Sequence, residues 1–190
     1  VPSLVCDIDH DRAEAMIVEG LALTRELEDA WIEIFLRHWL MQSRVLHRRQ
    51  GRPNIEGCIS LLDFSSREDT RNCPQSICVV QDFANCYARA DGPGYADERL
   101  AITRETLDRI DASWPCWRCI GAEHSSALED QDRFDESLAF LDDLARQAIA
   151  VGKDPDDFAH SRADTLIKMG RAQDALDILD ETGPSQQRGE

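Results

Sequence analysis

With 190 residues, 42% of them hydrophobic and 31% charged, the chain is too apolar to be a disordered segment, and no run of about 18 apolar residues could cross a bilayer. A formal charge of −16 repels phosphate, which argues against nucleic acid and leaves a protein or peptide as the expected partner. Seven cysteines, odd in number and unevenly spaced, are expected to be reduced thiols of a cytoplasmic protein.

The chain opens on Val1 and is expected to be a processed product or a piece of a longer protein. From there apolar residues recur at spacings of three and four, the helical period, as in Leu100, Thr103, Leu107, Ile110 and in Phe134, Leu138, Leu141, Ala145. The period predicts nine helices over 10–27, 29–49, 55–68, 74–90, 95–111, 115–130, 134–151, 155–169 and 173–182, and no strand. Pro74, Pro115 and Pro155 mark three starts, since a first-turn proline loses no hydrogen bond. Gly51-Arg52-Pro53, Asp91-Gly92-Pro93-Gly94, Asp130 to Arg133 and Gly170-Arg171 read as turns. One domain is expected over 1–182, built of hairpins near 29–68, 74–111, 115–151 and 155–182 preceded by helix 10–27. Residues 183–190 read as a flexible tail.

The hairpins repeat. Gly170-Arg171, Asp174-Ala175-Leu176 and Leu179-Asp180 match Asp132-Arg133, Glu136-Ser137-Leu138 and Leu141-Asp142. With weaker versions at 21, 58 and 100 included, the third residue of the triplet falls at 21, 58, 100, 138 and 176, a period of 37 to 42 residues. Gly-Arg followed by an acid, a small residue and leucine resembles the tetratricopeptide-repeat family. The resemblance covers roughly 29–182 and implies a right-handed α-α superhelix of antiparallel hairpins. It also implies close-packed small pairs, here Ala163 with Ala175, Ser125 with Ser137 and Ser43 with Gly57. The fourth pair would be Ala84 with Arg99, and an arginine there is expected to splay the second hairpin.

Stacking would put the first helix of each hairpin on a concave side, with Arg44, His47, Arg48, Gln81, Asn85, Arg89, Ser126 and His160 as candidate partner-binding residues. The arginines among them could hold a carboxylate through paired hydrogen bonds, or simply complement the negative end of a helix. No catalytic constellation and no cofactor motif occurs, so the expected role is a protein–protein interaction module holding a peptide or helix of a partner. An acidic inhibitor or immunity-type protein that occludes a basic partner is the alternative. A second alternative is a zinc-binding or thiol-redox protein using Cys73, Cys78, Cys116 and Cys119, four thiols near the starts of two adjacent helices. Against it stands the more ordinary use of cysteine as a small core residue.

Overall fold

A computed structural model of the chain describes residues 9–154 and 158–182, so the expected start at Pro155 and the tail from 183 lie outside the described residues. Nine α-helices make up most of it: α1 (His10–Leu27), α2 (Ala30–Met41), α3 (Gly51–Ser65), α4 (Gln75–Asp91), α5 (Ala96–Leu107), α6 (Trp117–Glu129), α7 (Phe134–Ala150), α8 (Ala159–Lys168) and α9 (Ala172–Thr182). No strand occurs among the described residues. Asp9 and Asp29 open the first two helices, their carboxylates accepting from the N–H groups of Arg12 and Ile32, both at 3.0 Å.

Three local expectations change. Gly51-Arg52-Pro53 is the first turn of α3 rather than a loop before it. Glycine is required there because a Cβ would sit 2.6 Å from the Cys86 carbonyl oxygen and from the Ala90 nitrogen of α4. Pro115 is followed by Cys116 in the left-handed region at φ 60°, which delays the start of α6 to Trp117. The predicted helix 29–49 is interrupted, since Gln42–His47 winds as a π-helix. Its i→i+5 bonding widens the turn and rotates the side chains that follow away from the α register.

Consecutive helices pack on one another. The first helices of the hairpins, α2, α4, α6 and α8, also touch in succession, whereas the second helices, α3, α5, α7 and α9, scarcely approach each other. The buried apolar residues accordingly fall into successive clusters: Ile17, Ile34, Leu61 and Val79; then Ile77, Val80 and Ile120; then Trp117, Leu141, Leu144 and Phe158; then Ala163, Leu166 and Ala175. Burial of one such leucine or isoleucine contributes about 1.5–3 kcal/mol. Stability is therefore distributed along the chain rather than concentrated in one centre.

Two of the small pairs are found. Ser125 and Ser137 are both buried with their Oγ atoms 2.6 Å apart, and Ala163 and Ala175 share the last cluster. Ser43 is not paired with Gly57, which is exposed and would meet Met41 if it carried a Cβ. At the fourth pair Arg99 is 0% exposed, with its charge met inside the molecule.

Candidate binding site and buried polar junctions

The eight candidate residues separate into three places. Arg44, His47 and Arg48 lie on the π segment and its end, and they face α1. Arg44 donates to Glu14, Arg48 Nη2 lies 2.6 Å from Asp11 Oδ1 and 3.4 Å from Glu14 Oε2, and the His47 ring stacks 5.2 Å from His10. The basic face of the first hairpin therefore holds the acidic face of the chain's own first helix. The widened turn is what aims it there.

Asn85, Arg89 and Ser126 gather at a second place, around Arg99. The Arg99 guanidinium donates to Asp130 through Nη1 and to Ser126 Oγ through Nη2 at 3.1 Å, and Nη2 lies 3.7 Å from Glu123 Oε2. Burial pushes the Glu123 carboxyl up to about 7, against the charge of Arg99, a hydrogen bond from Asn85 and the charge of Arg89. Asn85 was expected in solvent but is buried, because its amide reaches Glu123 and also donates to the Gln81 carbonyl oxygen one turn back at 3.0 Å. Gln81 is half-buried beside it. His160, the third place, is exposed on α8 and joins neither group. Sequence reasoning missed Glu123 and Asp130. Their only signal was the misfit of Arg99, which demanded carboxylates nearby.

Comparable polar junctions sit on either side. Asp82 of α4 is buried and takes His38 Nδ1 at 2.7 Å and the Gln42 amide, while burial raises its carboxyl. Glu129 of α6 accepts from Ser137 at 3.1 Å and Ser125 at 3.3 Å, and further from Thr165 and Lys168. A buried carboxylate without such donors would cost several kcal/mol. His124, beside Glu123 on α6, meets α5 one turn further along, at Thr103 and Arg104. Thr103 Oγ1 donates to the Arg99 carbonyl oxygen at 2.6 Å, so it accepts from His124 Nδ1–H at 2.8 Å, leaving Nε2 to accept from Arg104 at 3.3 Å. Burial, then the charges of Arg104 and Arg133, push the ring down to about 4 and keep it neutral.

Of the four thiols proposed to converge, Cys78 and Cys116 are joined in a disulfide between α4 and the start of α6, with their Cα atoms 6.0 Å apart. This corrects the expectation of reduced thiols throughout. Cys73 is buried and free, Cys119 is half-buried, and no group of three metal-holding side chains occurs among the described residues.

Where the second helices stand apart, cavities open over the intervening first helix. The gap between α3 and the end of α5, over α4, holds 350 Å³ and is lined by Leu62, Ile77, Val80, Ile110 and Trp114, with Arg71 and Arg109. Between α5 and α7 a cavity of 370 Å³ carries Arg104, Arg133, His124 and Glu136, and between α7 and α9 one of 310 Å³ carries Arg162, Arg171, Asp142, Asp174 and Asp177. None of the eight candidate residues lines these gaps. Comparison with family models, with curated proteins and with solved structures finds no match to this chain.

Proposed function

We propose that this chain is a helical-repeat interaction module, of the kind the tetratricopeptide resemblance implies, and that it binds an acidic amphipathic helix of a protein partner. One observation carries the reading: Arg44, His47 and Arg48 already hold Asp11, Glu14 and His10 of α1. A surface that pairs two arginines with the carboxylates of one helix has the chemistry to pair them with those of another. In this reading α1 occupies the site until a partner helix replaces it. Successive contacts along α2, α4, α6 and α8 support a binding face that continues beyond the first hairpin.

The test is an exchange experiment on the full chain. In the variant Asp11→Lys with Glu14→Lys, α1 should lose its hold, and a synthetic peptide of residues 9–28 should then bind in trans by calorimetry. A peptide carrying the same two lysines should bind at least about tenfold more weakly, the effect of removing two partly exposed ion pairs. Equal binding of the two peptides would end the proposal. Absence of any binding, with circular dichroism showing the variant folded, would do the same.

A further inference from the structure

We infer that the gap between α3 and the end of α5 is a second binding site, which takes an acidic peptide segment of a partner with one apolar side chain as its anchor. The argument starts from charge. The chain carries 37 acidic residues against 21 basic ones, so a cavity lined by two arginines and no carboxylate is unexpected on average composition. The other two gaps show what the same architecture does elsewhere for three of their four arginines. There Arg133 is answered by Glu136 at 2.7 Å, Arg162 by Asp142 at 3.0 Å and Arg171 by Asp174 at 2.6 Å. Arg71 and Arg109 are both exposed, and neither pairs with a carboxylate among the described residues. Asp111, two residues after Arg109, is turned onto Ser113, whose N–H it takes at 2.8 Å together with its hydroxyl.

The floor gives the second half of the recognition. Ile77 and Val80 are buried at its base, while Leu62, Ile110 and Trp114 are only partly covered and form its walls. A space of 350 Å³ is enough for one large apolar side chain and the backbone beside it. Polar groups on the wall suit a peptide backbone. Ser65 and Ser66 each donate to the Leu62 carbonyl oxygen and Ser76 donates to that of Arg71, so each hydroxyl oxygen keeps lone pairs for an incoming N–H. Cations at the rim, acceptors on the wall and an apolar base together select an acidic segment with an apolar residue. This site lies on the side of the second helices and shares no residue with the face that holds α1.

The probe is a blocked pentapeptide of alternating glutamate and leucine, titrated into the full chain by calorimetry, with tryptophan emission followed in parallel because Trp114 lines the cavity. Saturable one-to-one binding with a shift in emission is expected. Arg71→Glu with Arg109→Glu should weaken it by roughly tenfold or more, and replacing the leucines of the peptide by alanine should weaken it similarly. Should the charge-reversed pair lose helicity, Arg71→Gln with Arg109→Gln serves in its place and should weaken binding severalfold. Unchanged affinity in a folded variant of either pair overturns the inference, as does an alanine peptide that binds equally well. Hexanoate binding as tightly as the peptide would make this a small-molecule site and overturns it too. So would the absence of saturable binding at millimolar peptide.

Discussion

Two junctions of the array solve the same packing problem with opposite residues. Where α6 meets α7, Ser125 and Ser137 bring their hydroxyls to 2.6 Å, and the small side chains let the helices close. Gly121 helps, since a Cβ there would lie 2.4 Å from the Leu144 side chain. At the corresponding place on α5 stands Arg99, as buried as any residue in the chain. The second junction holds because α6 supplies Glu123 and Ser126 from its body and Asp130 from its end, so the guanidinium is met from several directions. A small residue is one way to fill a helix crossing. A large cation is another, provided carboxylates arrive from the neighbouring hairpin.

The strongest way to break this comparison is to remove the cation. Arg99→Met keeps the apolar stem but leaves Glu123 and Asp130 facing each other without their counter-charge. Loss of one partner of a buried ion pair costs about 3–5 kcal/mol, and the urea midpoint of the variant should fall accordingly with little change in slope. The triple variant with Glu123→Gln and Asp130→Asn should recover a substantial part of that loss. If Arg99→Met alone were as stable as the parent, the guanidinium would be filling space and the two junctions would be the same after all.

The second test uses pH, because adjacent residues of α6 meet α5 one turn apart and shift in opposite directions. Glu123 is raised to about 7 from an unfolded value of 4.5, so the folded state keeps a proton that the unfolded state has lost. Its contribution to stability is present below about 4.5 and is lost as pH rises through about 7. His124 is lowered to about 4 from 6.5, so its contribution is present above about 6.5 and is lost as pH falls towards 4. Over the shared window the two slopes oppose each other. Glu123→Gln should make stability rise more steeply with pH than in the parent, and His124→Asn should make it fall. Parallel profiles for all three proteins, from urea titrations between pH 4.5 and 7, would remove both titrating groups from the junction.

These junctions mark the limit of what the sequence made legible. The helices were readable because each buries one apolar face, and a period of three and four residues records that directly. Two of the small pairs were readable too, Ser125 against Ser137 and Ala163 grouped with Ala175. What failed is non-local. Arg99 looked excluded from a crossing because its carboxylates stand more than twenty positions further along the chain, and no local pattern announces them. Asn85 looked exposed on a helical wheel, yet Glu123 draws it inward. The π segment at Gln42–His47 has no compositional mark, and its wider turn sent Arg44 and Arg48 to α1. The Cys78–Cys116 bridge spans 38 positions, which spacing alone could not pair.

Ser126 offers the smallest effect and the finest distinction. It was expected on a partner-binding face, whereas its Oγ accepts from Arg99 Nη2 at 3.1 Å. Ser126→Ala removes one hydrogen bond to a charged donor, which in a dry site costs about 1.5–3 kcal/mol. The side chain is half-buried, however, so water can reach the vacated position and the expected loss is about 1 kcal/mol. Placed in the Asp11→Lys, Glu14→Lys background, the same substitution should leave binding of the α1 peptide unchanged within twofold, because the arginines that hold that helix lie on the first hairpin. A loss of binding without a loss of stability would return Ser126 to the partner face and make the junction around Arg99 part of the recognition surface.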